Sequence, residues 1–471
     1  MSGTADRIRR ILSDAGASLK RASELPPVAP HAAGEEVGPV KARLLERLRS
    51  LRAGQRAMPR DSEPVGLDGP AIPALVLPEE DGDDRPLAER VGGVVRSGPR
   101  GSFLFVERRW PLASSHGNVQ LAEVPEHLLP LRRREKRPGS ITHVDPRTAV
   151  YLDVETTGLA GGTGTVAFLV GAGRIEGDAF VVRQYFVRDF PDEPAVLSAL
   201  ADDLGDAPLV TFNGRSFDWP LLTTRWRIHR TPVADRDHVD LLPPSRQLWA
   251  GSLASHALGQ LERHVLGVVR THDLPGALIP SAYFAWLREA KATAMTMAFH
   301  HNEVDIVSMA ILGAVIGRVL RDPAARPGAP ASDHLGTAKL LVNQGDLGKA
   351  KACLEAAVAG GCDDGSPALL RLLGRLHRQA GDLDAATRTW ERWRREGPAF
   401  DAHPYEELAK LLEHRRKDLP AALATVEDAI ARCPRTDGRR EGLEHRAARL
   451  RRRLTSRPAG KGRAAGKGRP R

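Results

Sequence analysis

Residues 151–159 read YLDVETTGL. The preceding run is apolar enough for a buried strand, yet an aspartate and a glutamate stand one residue apart at its end. Side chains alternate along a strand, so Asp153 and Glu155 share a face. Two carboxylates that close repel each other and take up protons unless a cation lies between them. Hard divalent ions prefer oxygen ligands, which makes the pair suited to a metal site. Alone, D-x-E also occurs by chance on surface strands, so its meaning depends on what the rest of the chain supplies.

A second candidate is TFNGRSFDWPLL, with Asn213 and Asp218. Asp218 follows a short buried strand, PLVTFN, and opens a helix whose first turn accommodates Pro220. An aspartate at such a position also serves as a plain N-cap that offsets the helix dipole. The third candidate is HHNEVDIVSMAILGAV, where His301 and Asp305 lie one helical turn apart on the same side. They stand at the start of a strongly apolar helix, where polar groups without partners are costly. A simple surface pair is the alternative. His300 points about 100° away from His301 and cannot face the same site.

The segments around these motifs alternate between strand and helix. TVAFLVGAGRI and AFVVRQYFV form two strands turning at Glu176-Gly177-Asp178. AVLSALADDL is helical, as are stretches near Leu253–Leu266 and Ala282–Ala290, and a long helix runs from about Thr296 to Leu320. GSFLFVERRWPL, at 101–112, alternates as a strand and starts the folded region. Strands followed by alternating helix and strand predict an α/β mixed sheet with flanking helices. Asp240 in HVDLL is expected to make a structural hydrogen bond. Trp219 and Trp226, at helical spacing beside Leu221 and Leu222, are expected in the core rather than stacked on bases.

The last third changes character. GDLGKA starts at Gly345, GDLDAA at Gly381 and KDLPAA at Lys417, each with an apolar helical stretch on either side. A fixed period of 36 with two helices per unit predicts an all-α solenoid of helical hairpins. It resembles tetratricopeptide (TPR) repeats slightly stretched, with an ordinary helical bundle as the alternative.

At 471 residues the chain has room for about two to four domains. Its three cysteines, Cys353, Cys362 and Cys433, form no disulfide framework and no CxxC knuckle, which points to a reducing compartment. The N-terminus lacks a signal-peptide core, and the longest uncharged apolar run, Ile306 to Gly317, is too short to cross a bilayer. A cytoplasmic protein without a membrane span is expected. The net charge is +10, but Pro434 to the end holds 14 Lys/Arg against 3 Asp/Glu, so that stretch carries +11 and the remainder −1. Such a tail holds a polyanion without sequence preference, or simply keeps the protein in solution. Residues 1–95 mix Pro, Gly, Ala and charge and are expected to be mostly disordered, with short amphipathic helices at Ala5–Leu19 and Val40–Leu51.

Taken together, DxE on the first long strand, N-x4-D after a later strand and HxxxD on a late helix resemble the DEDD superfamily of 3′-to-5′ exonucleases, with a ribonuclease H-like fold. The histidine before the last aspartate marks the DEDDh-like subclass. TTGLAGGTG, HVDLLPPSRQLW, SLASHALGQLERHVLGVVR and THDLPGALIPSAYFAWL extend the likeness to the YprB-type ribonuclease H-like domains of bacteria, some of which carry helical repeats. The resemblance covers roughly residues 100–320, with a weaker match over the repeats. It implies that Asp153, Glu155, Asp218 and Asp305 hold two divalent ions, Mg²⁺ or Mn²⁺, and that His301 is the general base. It also implies that Thr156, Gly158 and Asn213 meet the terminal nucleotide. Phosphodiester hydrolysis needs an activated water and shielding of phosphate charge, and two metals about 4 Å apart supply both.

The expected organisation is a mostly disordered 1–95, a ribonuclease H-like exonuclease domain at 96–325, TPR-like repeats at 333–453 and a basic disordered tail at 454–471. The expected activity is metal-dependent 3′-to-5′ hydrolysis of DNA or RNA from a single-stranded 3′ end, with a protein partner docked on the repeats. The alternatives are a catalytically weak nucleic-acid-binding module and a scaffold built on the same fold.

Overall fold

A computed structural model describes residues 76–130, 143–158, 164–271, 273–326 and 328–455, all within one compact unit, Ala74–Arg471. The two expected N-terminal helices lie outside the described residues.

Seven strands form one sheet: β1 (Val94–Gly98), β2 (Gly101–Pro111), β3 (Val150–Thr156), β4 (Ala167–Glu176), β5 (Ala179–Phe186), β6 (Leu209–Thr211) and β7 (His238–Asp240). Their spatial order is β1-β2-β5-β4-β3-β6-β7. The pairs from β1 across to β3 are antiparallel, and β6 and β7 then add in parallel. The β4–β5 hairpin turns at Gly177 (φ 63°), with Glu176 opposite Ala179, at the turn expected from the sequence. β3 is apolar on both faces because both are covered. Tyr151 joins a core with Ile306, Val307 and Ile311 of a long helix. Leu152 and Val154 join a second core with Leu197, Leu222 and Tyr283.

From β5 onward the helices of this half are α1 (Glu193–Leu204), α2 (Asp218–Ile228), α3 (Leu242–Leu248), α4 (Leu258–Leu261), α5 (Ile279–Glu289) and α6 (Thr293–Arg321). Folded structure begins before the expected boundary at 96. Leu87 and Val91 are buried, and Glu80 Oε2 accepts from the backbone N–H of Thr293 at 3.3 Å, at the start of α6. The acidic run EEDGDDR, which looks like solvated sequence, is partly spent on helix-end hydrogen bonds.

Three helical hairpins follow: α7 (Ala331–Gln344) with α8 (Leu347–Ala359), α9 (Pro367–Gln379) with α10 (Leu383–Glu396), and α11 (Ala402–Leu411) with α12 (Leu419–Arg432). The 36-residue period reappears as one repeated turn. Gly345, Gly381 and Lys417 are left-handed, at φ 88°, 81° and 58°. The next residue, Asp346, Asp382 or Asp418, then caps the second helix through its side chain. A last helix, α13 (Arg440–Thr455), buries Leu443, Ala447 and Leu450, so the first part of the basic stretch belongs to the folded unit.

The sheet half and the hairpins share a core. One apolar cluster runs from Tyr151 and Val239 to Leu370, Trp390 and Trp393. At the junction Asp333, fully buried, accepts from the Gly251 N–H at 2.7 Å and from the Ser252 hydroxyl. Gly336 leaves room for the Gln247 carbonyl, which would stand 1.8 Å from a Cβ there. Among the described residues no helix is long and apolar enough to cross a membrane.

Candidate active site

After β3 the chain turns to one side, to β4 and β5, and returns to the other side as β6. A crevice at the carboxyl ends of parallel strands is where sheets of this kind bind ligands. Asp153 and Glu155 stand at that end of β3, where pairing with β4 slips between Glu155 and Thr156. A bulge of this sort re-aims the side chains beside it. Next to it Thr156 Oγ1 donates to the Gly158 carbonyl at 3.0 Å.

Beyond β6 the chain bends through Asn213, which is left-handed (φ 65°), before α2 begins at Asp218. Asp240 of neighbouring β7 holds this bend. Its Oδ1 accepts from the Asn213 N–H at 2.8 Å and from that of Leu242 at 3.0 Å, and Oδ2 accepts from Arg215 at 3.3 Å. Asp240 is thus engaged structurally. Phe217, not Asp218, occupies the N-cap, so the Asp218 carboxylate is not spent as that cap. It lies back over Gly214, where a Cβ would stand 2.7 Å from Oδ2.

The third motif arrives on α6. This helix crosses β4 at Gly171 and Gly173, where Cβ atoms would stand 2.3 Å from Asn302 Oδ1 and 2.4 Å from Ile306 Cγ2. The two missing side chains let the helix close on the sheet, and Asn302 Nδ2 then donates to Asp153 Oδ2 at 2.9 Å. Gln184 fixes the amide by donating to Asn302 Oδ1, also at 2.9 Å. His301 and Asp305 flank Asn302 on the site side, and His300 is exposed. Trp226 is buried and Trp219 packs on it at 5.5 Å, as core residues do.

The five residues of the three motifs share one electrostatic neighbourhood. Burial, then the charge of Asp305, pushes Asp153 up to about 7, against the pull of His301, Asn302 and Arg270. Glu155 and Asp218 are held well above the carboxylate range, first by burial and then by Asp153. Burial raises Asp305 too, against His301 and Arg270. Burial alone would lower His301, but its hydrogen bond with Asp273 and the charges of Asp305 and Glu155 outweigh this and carry it up to about 9.

Glu262, Arg270, Asp273 and Asn302 were missed by motif reading, although all four lie inside segments that carried the resemblance. After α4 a π-helical turn, Glu262–Leu266, ends at left-handed Gly267 (φ 71°). Arg270 Nε donates to Oε2 of buried Glu262 at 2.7 Å, and Nη2 donates to Asp305 Oδ1. Arg270 Nη1 lies 3.3 Å from Asp273 Oδ2. His301 Nδ1 donates to Asp273 Oδ1 at 2.8 Å, leaving Nε2 3.6 Å from Asp305 Oδ2. Mutual hydrogen bonding among side chains gives no periodic signature, which is why the sequence hid it.

Four clustered carboxylates that raise one another's proton affinity have the donor chemistry of a divalent-metal site. Of the four, only Asp305 has an arginine in ion-pair contact among the described residues. As the side chains stand, no three His, Cys, Asp or Glu groups among the described residues form a closed metal-binding set. The donors therefore fit a dication, while the ligand shell is not drawn together.

Comparison with known proteins agrees with the architecture. The chain is similar to the uncharacterized protein YprB of Bacillus subtilis (strain 168), at 28% identity over 361 residues, covering 75% of this chain and 86% of that protein. The family model that matches describes the RNase_H superfamily and spans residues 150–316, from the start of β3 into α6. The part of the sheet that carries the acidic cluster, with the helices around it, is therefore the part of the chain similar to the RNase_H superfamily.

Proposed function

We propose that this chain is a metal-dependent 3′-to-5′ exonuclease of the DEDDh-like kind, acting on single-stranded ends of DNA or RNA. The observation that carries the reading is the cluster of Asp153, Glu155, Asp218 and Asp305 with His301 at the carboxyl ends of β3 and β6. Divalent ions held by the four carboxylates supply charge compensation and Lewis acidity at the scissile phosphate. Asn302 orients Asp153, and Asp273 holds Nδ1 of His301 so that Nε2 is the basic atom. Neutralising the four carboxylates removes the charges of Asp305 and Glu155 from what raises the imidazole pKa, while the Asp273 hydrogen bond stays. The imidazole pKa returns towards its ordinary value of about 6.5, where Nε2 accepts a proton at neutral pH. Thr156, Gly158 and Asn213 line the same strand ends and are assigned to the terminal nucleotide. The helical hairpins, which resemble TPR repeats, are assigned to a protein partner, and the basic tail to raising the local concentration of substrate.

The pairing of Arg270 with Asp305 favours one second reading, a nucleic-acid-binding module with weak or silent chemistry. One experiment separates the two. Matched DNA and RNA oligonucleotides, labelled at either end, are incubated with Mg²⁺, Mn²⁺ or chelator, using the wild type and Asp153→Asn. Stepwise shortening from the 3′ end that needs metal and vanishes in the variant supports the exonuclease. Binding without shortening by either protein overturns it in favour of the module.

A further inference from the structure

The segment from Glu262 to Asp273 forms an arm that reaches two residues of the acidic site at once. Glu262 is 1% exposed and takes both Nε and Nη2 of Arg270, so the guanidinium is clamped by its edge and cannot swing away. The remaining Nη2 proton is directed at Asp305 Oδ1, and Nη1 faces Asp273, the partner of His301. A fixed cation thus stands among three carboxylates, one of which belongs to the proposed ligand set.

We propose that Arg270 is a positioning residue with two separable actions. Its charge is a permanent counter-ion that weakens the hold of the acidic site on divalent cations. Its Nη2, seated by the pairing with Glu262, commits Asp305 Oδ1, so that only Oδ2 faces the site and the His301 imidazole. The inference rests on reading the cluster as a divalent-metal centre. The physical basis is simple. A guanidinium beside a ligand carboxylate opposes a second cation through Coulomb repulsion. Its planar fork, seated on Glu262, fixes the second Nη2 proton against Asp305, an arrangement that a lysine ammonium cannot reproduce. An ordinary structural ion pair would act differently, because its loss would weaken metal binding and catalysis together.

The test uses the full chain, stripped of metal, with Mn²⁺ binding followed by calorimetry and turnover of a 3′-labelled single strand followed separately. In Arg270→Gln the charge is gone, and Mn²⁺ should bind at least about fivefold more tightly. In the same variant kcat should fall by at least about tenfold, because Asp305 is no longer held. In Arg270→Lys the charge stays and the fork is lost, so Mn²⁺ affinity should remain within about twofold of wild type while kcat falls as in Arg270→Gln. Unchanged or weaker Mn²⁺ binding by Arg270→Gln overturns the proposal. If that variant does not fold, Arg270→Lys decides, and a shift in affinity beyond twofold overturns it. Wild-type protein that binds no Mn²⁺ defeats the metal-centre reading itself, a different result from either of these.

Discussion

Asn302 Nδ2 lies 2.9 Å from Asp153 Oδ2, and it reaches there because residue 171, on the strand beneath, has no side chain. A Cβ at that position would stand 2.3 Å from Asn302 Oδ1 and 2.7 Å from Ile306 Cδ1. Gly171→Ala should lift α6 from the sheet, with an overpacking cost of about 1–3 kcal/mol. The urea midpoint should fall accordingly, and activity should fall further than in Asn302→Ser, which removes the contact but leaves the helix seated. Equal stability of Gly171→Ala and wild type would show that the close approach is not needed.

The pH dependence of stability follows from two groups that act in the same direction. His301 sits near 9 in the fold against an ordinary 6.5. Its favourable contribution is complete below 6.5 and is lost as the pH rises towards 9. Asp153 sits near 7 against 3.8, so the fold binds the extra proton and is disfavoured as the pH rises from 3.8 through 7. The metal-free protein should therefore melt at a lower temperature at pH 8.5 than at pH 6. Mn²⁺ should raise the melting temperature more at pH 8.5, where the carboxylates are ionised. In chelator at pH 8.5, Asp153→Asn should melt above wild type. A lower melting temperature for that variant would mean that the carboxylate is already compensated within the protein.

Much of this was legible beforehand because it follows simple periods. The alternation of β2, the apolar run of β3, the β4–β5 turn and the 36-residue repeat each leave a pattern. The strand His238–Asp240 did not, since it is three residues long and polar at both ends, unlike the equally short but apolar start of Leu209–Thr211. Asp153, Glu155, Asp218, His301 and Asp305 could be named as candidates because carboxylates at a strand end or on an apolar helix are conspicuous. Glu262, Arg270 and Asp273 could not, because an arginine between acids in a loop resembles solvated sequence until the fold brings α6 against it.

Asp273 is expected to act through His301. Its Oδ1 accepts from Nδ1 at 2.8 Å, which selects the tautomer and aims Nε2 at the site. Asp273→Asn keeps the size but offers a neutral amide, and kcat should drop by roughly 10–100-fold. KM for the oligonucleotide and affinity for Mn²⁺ should change little, because Asp273 is not among the proposed ligands. Asp273→Glu should restore part of the loss. Wild-type kcat in Asp273→Asn would remove His301 orientation from the mechanism.

Asp333 leads to the last expectation, about whether the two halves of the unit can be separated. The carboxylate is fully buried, accepts from Gly251 and Ser252 of the sheet half and lies 3.5 Å from Arg326 Nη2. Its own helix, α7, belongs to the first hairpin. Removing one member of a buried charged set leaves the others unpaired, so Asp333→Ala should cost about 3–5 kcal/mol in chemical denaturation. The apolar cluster that passes through this junction makes a simple truncation harsher still. A chain ending at residue 330 would uncover Leu248 and the end of α6, and it should melt well below the full chain or aggregate. Full-length protein should unfold in one transition for the same reason. A truncated chain as stable as the whole, or two separate transitions in the whole, would mean that the shared core contributes little and that the hairpins fold on their own.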